Sequence, residues 1–333
     1  MSPNWTNLVR FISEEDGQIH LGEVDSTQYP DVGFSIFNGQ KVAARLVKGS
    51  IFDGIVTDTI MHIARVLLTF SISHLDPSIL LTSLLWNQIL APVGLEDVPI
   101  IRCMGLNYRD HAKEANMPIP DVPVLFLKPR TALNGPYPAK INVPKIAQDG
   151  SSDYEAELSI ILSKTGRDIP EAEAMEYVLG YTCSNDVSAR TQQFKNSQWC
   201  FSKGKIAISN FTSRVQQRLT MNPCTLGLDG SCPLGPVLVS PSAIGDPHSL
   251  QIRAIHNGNV VQDSNTREMI FDVAKTIAFL SQGTTLEKGT IIMTGTGLGI
   301  GAMRNPKVVL RDGDDIRVEV EKIGTLVNQV YYE

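Results

Sequence analysis

Two glutamates set two residues apart at the head of an apolar run constrain this chain more than any other feature. The run is DYEAELSI, residues 153–160. In a strand, positions i and i+2 share a face. Glu155 and Glu157 therefore stand side by side and repel. Such a strand either lies at a solvated edge or buries the pair around a positive charge. Asp186 closes a second apolar run, GYTCSND, and adds a third carboxylate. Three carboxylates from two neighbouring strands make an oxygen-rich set of the kind that Mg²⁺ or Mn²⁺ prefers. For the Glu-x-Glu pair alone, the solvated edge is the commoner outcome.

The 333 residues suffice for one large domain with a smaller companion. The formal net charge is −6 and no basic stripe appears, which argues against nucleic acid or an anionic membrane as partner. The richest apolar stretch, 63–90, is broken by Arg65, His74, Asp76 and Pro77, so no run reaches the roughly 18 residues of a spanning helix. The N-terminus has no apolar core and turns acidic early, unlike a secretory leader. The five cysteines (103, 183, 200, 224 and 232) form no Cys-x-x-Cys pair, which fits a reducing intracellular compartment. The expected location is cytoplasmic, with the mitochondrion as the alternative.

Residues 5–50 read as short strands (LVRFI, QIHLGEV, FSIF and VAARLV) punctuated by turn residues. They predict a small β-rich N-terminal domain over 1–98, with 51–98 ambiguous. From Pro99 the texture changes, and a second domain is expected over 99–333. Its strands include PIIRCMG, PVLFLKP, ELSIILS and TIIMTGTG. Helical pattern is confined to RDHAKEANM, EAEAMEYV and REMIFDVAKTIAFLSQ, the last with apolar residues at 269, 270, 273, 277 and 280. The fold class predicted is mixed α/β and β-dominated, with mixed or antiparallel sheets. It is not the alternating βαβ pattern of a Rossmann fold.

Four further groups carry chemistry. His111 and Glu114 are three residues apart after the Gly-Leu-Asn-Tyr turn; on a helix they share a face, and the Glu can orient the imidazole as a general base. Taken alone, a surface pair with no role is the commoner reading. Arg190 and Lys203 suit an anionic substrate, the guanidinium a carboxylate and the ammonium an oxyanion. Thr296, in the Gly-rich TGTGLGIG, can offer its hydroxyl beside backbone N–H groups. Singly, each is an ordinary polar residue.

Together these residues resemble the fumarylacetoacetate hydrolase family. The matches run in order: GLNYRDHAKE, PVLFLKPRTAL, DYEAEL, GYTCSNDVSAR, QWCFSKG, GSCPLGP, NGNVVQDSNTREMIF and IIMTGTG. The resemblance implies a C-terminal domain of rolled mixed β-sheets, usually in a homodimer. It implies a divalent ion held by Glu155, Glu157 and Asp186, usually Mg²⁺, with Mn²⁺ or Ca²⁺ as alternatives. His111 and Glu114 correspond to the family's catalytic dyad on a lid. Arg190, Lys203 and Thr296 correspond to substrate-binding positions; Lys128 is a weaker candidate, with a structural role as its alternative. The implied activity is hydrolysis of a C–C bond in a small 2-oxo or β-diketo acid. Tautomerisation or decarboxylation of oxaloacetate at the same site is an alternative, and an impaired relative is another.

The chain departs from the family pattern in three places. Gly297 stands where the family usually has proline. Residues 66–88 and 205–227 are 23-residue interruptions of otherwise familiar runs; removing the second restores FSKGLDGSCPLGP. Val66 must be encoded by GTN and Asn87-Gln88 can end in CAG. Gly204-Lys205 can read GGTAAR, and Leu226-Gly227 can contain TAG. Both segments are therefore read as short introns carried into the reading frame. The rival reading is two real insertions, since loops tolerate them.

Overall fold

The computed structural model describes residues 3–64, 89–195, 199 and 228–333. Lys203 and both 23-residue interruptions lie outside them.

Strands dominate, and the reason is visible in β8 (Ala156–Leu162) and β9 (Val178–Asn185). Both are buried along their whole length, as their nearly continuous apolar sequences require of central strands. They pair antiparallel, with Ala156 opposite Asn185 and Ile160 opposite Tyr181. The other strands along the main path of this twelve-stranded sheet are β1 (Asn7–Ile12), β2 (Ile19–Glu23), β3 (Ala43–Lys48), β4 (Ile55–His62), β5 (Ile101–Gly105), β6 (Val124–Lys128), β10 (Cys232–Val239) and β13 (Ile291–Thr296). Their order is β4-β3-β2-β1-β10-β9-β8-β13-β5-β6. The N-terminal strands thus join the same sheet as the acidic strands, through β1 and β10, at Asn7–Val239 and Leu8–Leu238.

A second sheet is built from β7 (Lys140–Val143), β11 (Gln251–His256), β12 (Asn259–Asn265), β14 (Asp315–Val320) and β15 (Gly324–Tyr332), in the order β12-β11-β14-β15-β7. One core lies between the sheets. Alternate residues of β8 (Ala156, Leu158, Ile160 and Leu162) meet Ile252, Ala254, Val318 and Leu326 there. The opposite face of β8 sends Ile161 into a second core with Ile101, Cys103, Phe126 and Met293. Glu157 shares that opposite face.

Helices are few and short. In α3 (Val273–Ser281) Asp272 caps the start by accepting from Lys275 N at 2.8 Å. Val273, Ile277 and Leu280 form its buried stripe, each contributing about 1.5–3 kcal/mol. The expected helix from Arg267 is thereby shortened: Met269 and Ile270 precede the cap and lie outside it. The FSIF segment, expected as a strand, is helical instead, in α1 (Val32–Phe37). Asp31 explains the difference. Its Oδ1 accepts from Phe34 N as an N-cap and from Thr325 N, and its Oδ2 accepts from the Thr325 hydroxyl. Capping and docking onto β15 together override the β propensity of Phe and Ile.

Among the described residues no helix is long and apolar enough to cross a membrane. Cys103, Cys183 and Cys232 are buried free thiols.

Candidate active site

The three acids predicted from sequence meet. Glu155 directly precedes β8, Glu157 lies on it, and Asp186 directly follows β9. One ligand oxygen from each lies within 4.8 Å of the others. Glu155 is 7 % exposed, and Glu157 and Asp186 are 0 % exposed, which rules out the solvated edge strand. The register explains the meeting: Asp186 N donates to Glu155 O at 3.0 Å, and Glu155 N donates to Asn185 Oδ1 at 3.0 Å. Glu157 Oε2 accepts from Gly295 N at 2.7 Å, tying it to the end of β13.

Two cations are buried with them. Lys128 Nζ is 2.8 Å from Asp186 Oδ1, with both side chains at 0 % exposure, and also donates to Ser231 O and Oγ. Lys128, the weaker candidate from sequence, therefore touches a candidate metal ligand. Arg190 Nη1 is 2.6 Å from Glu155 Oε1, and its Nε donates to Asp153 Oδ2 at 2.8 Å. Burial alone would lower the Arg190 pKa. Asp153 and Glu155 outweigh it and raise the value, so the guanidinium stays charged.

Asp153, Glu155, Glu157 and Asp186 are buried beside the Lys128 and Arg190 cations. The all-oxygen donor set of Glu155, Glu157 and Asp186 fits one hard divalent ion.

The dyad forms as expected. On α2 (Arg109–Glu114) the His111 Nδ1 lies 3.1 Å from Glu114 Oε2. The other oxygen, Oε1, accepts from Gly299 N at 2.9 Å, so Glu114 joins the helix to the Gly-rich loop. A carboxylate partner places the imidazole proton on Nδ1 and leaves the Nε2 lone pair available. The turn before α2 holds Leu106 at φ +44, a strained region for a γ-branched residue. Asn107 pins it: Nδ2 donates to Thr294 O at 2.8 Å and Phe271 O at 3.1 Å, and Oδ1 accepts from Phe271 N.

His111, Glu155, Arg190 and Thr296 line one cavity of about 150 Å³. Thr296 is less available than expected. Its hydroxyl donates to Ala156 O at 2.9 Å and accepts from Gln262 Nε2 at 2.8 Å. Gly297 has a local reason: a Cβ there would lie 2.4 Å from Ser264 Cβ. Ser264 in turn donates to Asp110 at the start of α2.

Two residues escaped the sequence reading. Asp153 accepts from Tyr154 N, Gly301 N, Ala302 N and Arg190. Gln262 holds Thr296 while its Oε1 accepts from Ala156 N. Both stand inside quoted motifs, so position beside the recognised residues was their available signal.

A family profile described as fumarylacetoacetate (FAA) hydrolase C-terminal matches residues 100–213 and 206–331. A caffeoylpyruvate hydrolase from Neonothopanus nambi is 36% identical over 338 residues, covering 100% of this chain and 96% of that protein. A mitochondrial oxaloacetate tautomerase from Rattus norvegicus is 38% identical over 242 residues, 72% of this chain and 68% of that protein. Among solved structures, a 2-hydroxyhepta-2,4-diene-1,7-dioate isomerase from Mycobacterium marinum superposes with a TM-score of 0.69. It is 28% identical and covers 98% of this chain and 99% of its own.

Proposed function

Because the chain belongs to the fumarylacetoacetate hydrolase family, we propose that it is a divalent-metal-dependent hydrolase that cleaves the C–C bond of an acylpyruvate. The buried Glu155, Glu157 and Asp186 set beside the His111–Glu114 pair carries this reading. These three carboxylates would hold the ion. When bound, a divalent ion supplies Lewis-acid polarisation of the 2-oxo acid's oxygens.

The chain's own groups supply the rest. Arg190 Nη2 is buried, lines the cavity and has no partner among the described residues, so it is the proposed anchor for the substrate carboxylate. His111 Nε2 takes a proton from water, whose oxygen adds to the acyl carbonyl. The C–C bond then breaks, the electron pair leaves on C3 of the pyruvate unit, and the proton returns there. The products are a carboxylic acid and pyruvate. Glu114 holds the imidazole tautomer and stabilises the imidazolium while it carries the proton.

The same base can move a proton on oxaloacetate without adding water, which is the tautomerase reading that the rat relative supports. NMR of acetylpyruvate and of oxaloacetate, with Mg²⁺ and then with EDTA, separates the two. Chelator-sensitive release of acetate and pyruvate is the expected result. Faster keto–enol exchange of oxaloacetate without cleavage of acetylpyruvate would replace the hydrolase with a tautomerase.

The ion proposed is Mg²⁺, the location cytoplasmic and the assembly a homodimer. For the dimer, the supporting feature is the edge strand β6 and its approach, where Ile119, Val122, Val124 and Leu125 are exposed. Light scattering at the monomer mass would remove it. Residues 66–88 and 205–227 are proposed to be intron sequence. The family profile's two pieces meet at 206–213, inside the second segment. A mature transcript retaining both would end that proposal.

A further inference from the structure

We infer that the acyl arm of the substrate is an extended aromatic group without a second carboxylate. This rests on the acylpyruvate reading and names the class within it.

An apolar cavity of about 150 Å³ holds one benzene-sized group. The cavity behind His111 has about that volume, so with the pyruvate unit at its polar end, beside Glu155 and Arg190, an extended arm runs along the apolar wall and out to the mouth. There Met117, Phe194 and Met303 are 49 %, 74 % and 43 % exposed. Scattered exposed apolar residues are ordinary, but three around one mouth that opens onto a catalytic cavity form a ligand-sized surface.

The wall between is also apolar and partly aromatic. Met104, Leu106, Phe126 and Trp199 line it. Phe126 and Trp199 meet edge to face, with ring centroids 6.0 Å apart at 67°. Gly105 makes room for this shelf: a Cβ there would stand 2.6 Å from Trp199 Cζ3. A flat ring has an aromatic edge and a thioether-rich rim to lie against, both of which favour aromatic contact.

Charge decides the second half. Arg190 is the one cation among the described lining residues. Two of its nitrogens are committed to Asp153, Glu155 and Gln193, which leaves Nη2 for a single carboxylate. A second carboxylate, as in a fumaryl arm or in oxaloacetate, would meet no further lysine or arginine among the described lining residues.

Calorimetry on the Mg²⁺-loaded protein tests this without turnover, because the acyl arm leaves as its free acid. Cinnamate is expected to bind at least about 10-fold more tightly than either acetate or fumarate, a step of about 1.4 kcal/mol. Equal binding of the three overturns the inference. In turnover, kcat/KM should rank cinnamoylpyruvate above acetylpyruvate and fumarylpyruvate. Met303→Asp should lower the cinnamoyl value about 10-fold more than the acetyl value. Cleavage of acetylpyruvate and fumarylpyruvate with no preference for the aromatic substrate would overturn this inference and leave the hydrolase standing. Preferential cinnamate binding with no substrate cleaved would do the reverse.

Discussion

Two histidine–glutamate pairs differ in their setting, one on the edge strand β4 and one on α2. At the end of β4, His62 Nδ1 lies 2.6 Å from Glu15 Oε1. On α2, beyond β5, His111 Nδ1 lies 3.1 Å from Glu114 Oε2. The shorter contact belongs to the pair that does not line the cavity of the carboxylates. What separates them is surroundings. The side chains of His62 and Glu15 are 34 % and 39 % exposed, against 12 % and 21 % for His111 and Glu114. Glu15 turns its oxygens back on Ser13 and the His62 backbone. Glu114 spends its second oxygen on Gly299 N, in the loop after Thr296. A histidine–carboxylate contact thus becomes machinery through what its far side reaches.

The comparison breaks hardest at the carboxylates His111 faces. Asp186→Ala should remove the ion and all metal-dependent turnover together. Outer partners of metal ligands already cost about 10–100-fold in affinity, so a ligand itself should cost more than about 100-fold by calorimetry. Unchanged Mg²⁺ affinity would mean that the acids do not hold it. Next, His111→Ala should keep the ion and lower kcat by about 10²–10⁴-fold, the range for general acid–base catalysis. His62→Ala should leave kcat within about two-fold, as for surface changes remote from a site. A similar loss from both would erase the distinction. Smaller again, Glu114→Gln keeps a hydrogen-bonding side chain but removes the charge, and about a 10–100-fold loss in kcat with intact metal binding is expected.

The surroundings were the part the sequence conveyed least. Glu155, Glu157 and Asp186 were legible because strand periodicity placed two on one face and ordered motifs added the third. His111 and Glu114 were legible as a helical i, i+3 pair. The Asp31 cap on FSIF was not, because docking against Thr325, almost three hundred residues away, decided it. Lys128 was undervalued for the same reason. A lysine beside Pro129 reads as a strand end; only β6's place at the sheet edge and the reach of Nζ to Asp186 and Ser231 reveal a fully buried cation. Arg190 was expected to meet substrate, but most of its guanidinium is committed to Asp153 and Glu155, one long-range pairing that periodicity cannot show.

The gentlest test lies in the pair away from the carboxylates. Burial would raise the Glu15 carboxyl, but hydrogen bonds from Ser13 and from the His62 backbone and ring outweigh it and bring the pKa down from 4.5 to about 2. A folded-state pKa below the unfolded one contributes stability that is complete above pH 4.5 and is lost as pH falls towards 2. Because the side chain is more than a third exposed, water and salt screen the contribution to below about 1 kcal/mol. Glu15→Gln should therefore lower unfolding stability slightly in urea at pH 6, with the difference from the parent shrinking steadily below pH 4.5. Turnover should not change at any pH where the protein is folded. A turnover defect in Glu15→Gln would give the N-terminal pair a role in the site and close the gap between the two pairs.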